Sequence, residues 1–218
     1  MSLFNRGPSR EQEMLELLET AGRLNRENTR LQQDMTDLQE LVRHQDEDLA
    51  LLLGAAAVFQ PGLDPGELSK RLLELCFRPM DLASFYVAVV DLQGDPLRFI
   101  LYHEGGRIRN HPPRRFSSQP GLTGKAIQAG RPLYVRSMEE AEALGAIFTE
   151  AEKLSGLIPS SWYGIPFGLS TERCGLVSFQ SFQREAFPEG RRKIMDALVA
   201  LFALAYPWGF SPTPAVHP

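Results

Sequence analysis

Cysteine is nearly absent from this 218-residue chain: Cys76 and Cys174 stand alone, each beside apolar or glycine neighbours. Two isolated thiols build neither a disulfide framework nor a thiolate metal centre, so both are read as buried and reduced. Histidine is as sparse. His44, His103, His111 and His217 fall in separate segments, and none has the i, i+4 partner of a helical metal site. Positive charge is not in excess either: 23 Lys and Arg against 27 Asp and Glu leave a formal net charge of −4, which argues against nucleic acid held through bulk charge. No apolar run reaches the roughly 18 residues that cross a bilayer, and Met1 to Arg10 lacks the apolar centre of a secretory leader. A cytoplasmic chain without nucleic-acid or membrane partners is expected. Gly-rich phosphate loops and the Gly-x-Ser-x-Gly elbow are missing as well. The chain is therefore expected not to be an enzyme; no catalytic residue, metal ligand or cofactor is assigned.

What the sequence does contain begins with a heptad. Leu17, Leu24, Leu31 and Leu38 recur every seven residues, and Met14, Ala21, Asn28, Met35 and Val42 precede them by three. These are the d and a positions of a coiled coil. The frame continues through Gln45, Leu49, Leu52, Ala56 and Phe59, with polar residues outside it. An amphipathic helix packed on its own domain would need a wider apolar face. Asn28 at an a position favours two parallel strands, because a buried amide pairs best with its symmetry mate. The expected interface is Met14, Leu17, Ala21, Leu24, Asn28, Leu31, Met35, Leu38, Val42, Leu49 and Leu52, joining two copies in parallel. The e and g positions beside this seam are mostly uncharged, so partner choice is not charge-coded. A zipper that forks into DNA needs a basic helix upstream. Here Arg6 and Arg10 are split by Gly7-Pro8 and followed by Glu11, Glu13, Glu16 and Glu19, which phosphate would repel.

Breakers from Gln60 to Gly66 end the heptad, and Asp64-Pro65 reads as the cap and first turn of a helix over 65–77. Strands are predicted over 83–91 and 96–104, joined by Gln93-Gly94-Asp95. A helix over 121–129, a short strand over 132–135 and a helix over 138–153 follow. Two further strands, 160–167 and 174–182, precede a long apolar helix over 188–206. This order predicts an α+β domain with a mostly antiparallel sheet. The organisation expected is a disordered N-terminus (1–12), a coiled-coil helix (13–59), one globular domain (60–206) and a flexible Pro-rich tail (207–218).

Five segments in this order resemble the GAF family of sensory domains: Ala83 to Asp91, Gly121-Leu-Thr-Gly to Val135, Ser161-Trp-Tyr-Gly-Ile-Pro-Phe167, Gly175 to Ser181, and Phe187 before the last helix. The resemblance covers residues 60–206. It implies a central antiparallel sheet with the terminal helices on one face and a ligand pocket on the other. Tyr86, Phe116 and Trp162 are the candidate pocket walls. The loop Gly105 to Phe116 holds four arginines, of which Arg114 and Arg115 are the candidates for an anionic ligand. Rich in Gly, Pro and Arg, the stretch from Gly105 to Ser118 is not expected to be rigid by itself. For haem-binding relatives one axial histidine suffices, and His103 and His111 are available. The signature of cyclic-nucleotide relatives and the cysteine arrangements of bilin carriers and methionine-sulfoxide reductases are not found. The function implied is a dimeric signalling module that senses a small ligand or partner and acts on a separate effector protein. The alternative is a scaffold whose pocket is filled by its own side chains.

Overall fold

Asp64 is where side-chain chemistry first sets the backbone. In the computed structural model, which describes residues 10–93, 95–118, 120–148, 158–170 and 172–208, its Oδ1 accepts from the N–H groups of Gly66 and Glu67 at 2.9 and 3.1 Å. With Pro65 in the first turn, this cap starts helix α2 (Pro65–Phe77), as the breaker cluster predicts. Upstream lies helix α1 (Arg10–Val58), which already includes the last residues expected to be disordered.

The chain divides into two compact units, Met1–Leu49 and Ala50–Pro218. In the first, the large apolar a and d side chains from Met14 to Leu49 are between 50% and 66% exposed. In the second, α1 ends on a different stripe. Leu51, Ala55 and Phe59 are buried, Leu52 packs against the same core, and Phe59 meets Phe202 edge to face at 6.0 Å. Spacings of four bring those three side chains onto one side of the helix end; of them Phe59, like Leu52, belongs to the heptad frame, and both enter the core in place of the seam.

The globular unit is built on an antiparallel sheet. Its strands are β1 (Ser84–Asp91), β2 (Pro96–Glu104), β3 (Arg107–Ile108), β4 (Arg114–Arg115), β5 (Leu133–Val135), β6 (Ser161–Phe167) and β7 (Arg173–Ser181). The order is β3-β2-β1-β7-β6-β5, with β4 also on β2. The remaining helices are α3 (Gly121–Ala129), α4 (Met138–Ala143) and α5 (Glu189–Ala205). This is the expected α+β architecture, and boundaries of the main strands and of α2 and α3 fall within a residue of those predicted.

One helix is shorter than expected. α4 stops at Ala143 because Gly145 takes φ 73° and closes a C-terminal motif. The Gly145 N–H donates to the Glu142 carbonyl at 2.8 Å and the Ala146 N–H to the Ala141 carbonyl at 2.9 Å. The rest of the predicted helix, from residue 149 on, lies outside the described residues, as does the tail from residue 209. Pro207 and Trp208, at the start of that tail, are held. The Trp208 ring meets Tyr206 at 4.9 Å and Phe167 at 5.4 Å, and its carbonyl accepts from Arg173 at 2.8 Å.

Both faces of the sheet are covered, so the pleat sorts side chains into two cores. Phe85, Val87, Tyr163, Ile165, Phe167, Val177 and Phe179 meet α2, α5 and the end of α1. Tyr86, Ala88, Val90, Trp162, Cys174 and Leu176 meet α3 and α4. Gly175 lies beneath the Phe167 ring, and a Cβ there would sit 2.3 Å from its Cζ. Gly175→Ala is expected to cost about 1–3 kcal/mol by overpacking. Gly190→Ala, in α5 with nothing within 4 Å, is expected to be neutral or to stabilise by up to about 1 kcal/mol. Urea midpoints at unchanged m-value report both.

Candidate functional site

A β-bulge sets up the site. Val87 pairs with Leu101 and Ala88 with Phe99, leaving Ile100 as the extra residue in β2. Without it, Phe99 and Tyr102 would take opposite faces; with it, both join Tyr86 on the face that carries α3 and α4. The three rings lock together. Tyr86 and Tyr102 are stacked at 5.6 Å with 2° between planes, and Phe99 stands edge-on to both at 5.4 Å. His111 closes against Tyr102 at 4.5 Å and Phe99 at 5.1 Å.

Between this wall and α3 and α4 lies a cavity of about 330 Å³, within the range of small-ligand sites. Trp162, Gln180, Thr123, Ile147 and Arg114 also line it. The Tyr86 hydroxyl and Thr123 Oγ1 share a hydrogen bond of 2.8 Å. The Trp162 ring lies back over Gly164, where a Cβ would stand 1.9 Å from the indole. That glycine fixes the indole's position against the strand.

Of the sequence-predicted wall residues, Tyr86 and Trp162 line the cavity. Phe116 does not; it packs, half-buried, against the same core, close to Gly124. Of the two arginines, Arg114 lines the cavity and Arg115 is exposed. The alternation of β4 separates them. Of the two histidines, His111 lines the cavity, while His103 lies on the other side with its ring 4.6 Å from Phe77. Phe99, Tyr102 and Gln180 were missed. Their signal is the register of the sheet, which a bulge resets without a mark in the sequence.

The loop expected to lack rigidity is tied at several points. β3 and β4 both pair with β2, and Arg109 meets Glu104 at 3.2 Å. The carboxylate of Asp95, at φ 64°, accepts from the Ser117 N–H at 2.6 Å and from its hydroxyl. These bonds from Ser117 hold the Asp95 carboxyl below its ordinary range. Both cysteines are buried and free, and burial raises both thiols, Cys174 to about 11.

No protein-family model matches the sequence, and no curated protein does. Solved structures do. The GAF domain of a phosphoenolpyruvate-protein phosphotransferase from Acinetobacter aligns at TM-score 0.58 and 15% identity, over 72% of this chain and 90% of that one. A putative GAF sensor protein from Burkholderia vietnamiensis aligns at TM-score 0.53 and 18% identity, over 74% and 94%. The free methionine-R-sulfoxide reductase of Neisseria meningitidis, solved with its substrate, aligns at TM-score 0.53 and 13% identity, over 72% and 86%. At these identities the likeness shows the fold, and the fold is that of a GAF domain. The reductase corrects one expectation. The reading of the chain as not an enzyme is overturned, because this same architecture carries a catalyst in that protein.

Burial lowers the pKa of His111, opposed by the Glu104 carboxylate and aided by Arg114; burial also lowers that of His103. A histidine with a folded pKa below its ordinary 6.5 binds fewer protons folded than unfolded. Its contribution is therefore fully present above that value and lost as pH falls through it. Urea stability is expected to fall between about pH 7 and pH 5, and the combined change of His103→Gln and His111→Gln to flatten that slope. Gly164→Ala is expected to push Trp162 out of place, read as a red shift of tryptophan emission with far-UV dichroism unchanged.

Proposed function

We propose that this chain is a sensor module that pairs with a second copy of itself through α1 and reports the occupancy of its cavity to a separate effector protein. The observation that carries this reading is the division of labour across one sheet. The cavity lies on one face and the packed ends of α1, α2 and α5 lie on the other, while neighbouring residues of β1, β6 and β7 point alternately into each. A ligand that binds two arrangements of these strands with different affinity shifts the helices that rest on them. An open cavity of about 330 Å³ favours this over a scaffold whose pocket its own side chains fill.

The pairing rests on the seam from Met14 to Leu49. Each leucine buried there contributes roughly 1.5–3 kcal/mol relative to exposure. Orientation follows from the flanks. Glu13, Glu27, Asp34 and Asp48 fall at g positions, and the e positions five residues on from each hold the neutral Leu18, Gln32, Gln39 and Leu53. Parallel pairing sets acidic g against neutral e; antiparallel pairing would set acid against acid. Asn28 then meets its own counterpart.

Light scattering of the full chain at micromolar concentration is expected to give the mass of a dimer, and a monomer ends this reading. Asn28→Val is expected to raise the melting temperature while admitting higher oligomers, which the same measurement shows.

A further inference from the structure

The charge inventory of the cavity identifies its occupant more closely, and this step rests on the sensor reading just given. Among the described residues that line the cavity there is no Asp or Glu, and Arg114 is the one permanently charged group. Its Nε is buried without a hydrogen-bond partner, and no ion pair reaches it among the described residues. The nearest carboxylate on β2, Glu104, is paired with Arg109 at 3.2 Å. The guanidinium stands over the Phe99 ring at 5.8 Å, and a buried donor left without a hydrogen-bond partner is costly. An anion in the cavity would remove that cost through charge-assisted, bidentate bonds.

A second feature points the same way. α3 begins on the cavity, and Gly121 can line it only with backbone. Pro120, the residue before the helix, supplies no side-chain cap. The first turn of α3, which carries the positive end of the helix dipole, therefore has no side-chain cap for its N–H groups. The remaining wall is aromatic: the stacked pair Tyr86 and Tyr102, with Phe99 edge-on to it and Trp162 and His111 beside it.

We infer that the cavity takes a small flat aromatic or heteroaromatic monocarboxylate, its carboxylate on Arg114 and the start of α3 and its ring against Tyr86, Tyr102 and Trp162. A cation suits an aromatic wall but is repelled by Arg114. A neutral ring brings the guanidinium no counter-charge. A dianion brings a charge for which the wall has no second cation. Size agrees, since 330 Å³ is about the liquid volume of ten waters, enough for one or two rings.

The test is calorimetric titration of the full-length chain with 2-naphthoate and benzoate, against 2-naphthamide, benzylamine and benzylphosphonate as neutral, cationic and dianionic counterparts. At least one acid is expected to bind at millimolar concentration or tighter, and at least tenfold more tightly than the amide, the amine and the phosphonate. Arg114→Gln is expected to weaken the acid at least tenfold, while Arg115→Gln leaves it unchanged. Amide, amine or phosphonate binding equal to the acid's overturns the monocarboxylate assignment and leaves the sensor reading standing. So does acid binding that Arg114→Gln does not weaken. If no probe binds, the assignment fails, while the sensor reading stands or falls on the mass of the full chain in solution. The comparison of acid with amide on the unaltered chain decides the matter even if Arg114→Gln does not fold.

Discussion

Strand β1 is buried on both of its faces, and the rest of the globular unit follows from that. Phe85 and Val87 pack under the helices, Tyr86, Ala88 and Val90 pack toward the cavity, and all are nearly inaccessible. A strand in this position must be apolar on alternate and intervening residues alike. It must also have partners on both edges, which β2 and β7 supply. Because the pleat has a period of two, a slip of one residue would exchange the aromatic wall for the helix-facing core. Register is therefore as much a functional constraint as a structural one.

The bulge at Ile100 departs from regular pairing and creates the site. It breaks the ladder at one place and gains a wall in which Tyr86, Phe99 and Tyr102 meet at centroid distances of 5.4 to 5.6 Å. Such contacts are worth about 0.5–1.5 kcal/mol each beyond burial, enough to hold the register that produces them. The polar groups are few: the hydroxyls of Tyr86, Tyr102 and Thr123, the Trp162 indole N–H, one glutamine, one histidine whose pKa burial lowers and one arginine. A cavity with so few polar partners discriminates by charge and shape together.

Helix α1 carries two apolar stripes. From Met14 to Leu49 the apolar side chains recur at heptad spacing and remain open to solvent; from Leu51 to Phe59 they recur at spacings of four and enter the core beside Phe202. A continuous helix passes from one to the other. The likeness to GAF domains supplies the fold and leaves this chain's chemistry to its own residues.

By itself the sequence determined what depends on neighbours along the chain. The heptad, the Asp64 cap, the ends of β1, β2, β6 and β7 and the α+β class were all legible, because each rests on spacing, propensity or a local hydrogen bond. Tyr86, Trp162 and Arg114 were legible as site candidates for their chemistry. Tertiary structure alone decided which candidates meet. Arg114 turns into the cavity and Arg115 away from it because β4 pairs with β2 in one register. Phe99 and Tyr102 share a wall because one residue bulges. Leu52 and Phe59 leave the heptad for the core because α2 and α5 offer a surface to bury them. In each case the deciding partner lies far away in the chain, and the free energy that selects it is buried area and pairing, neither of which is written in local spacing.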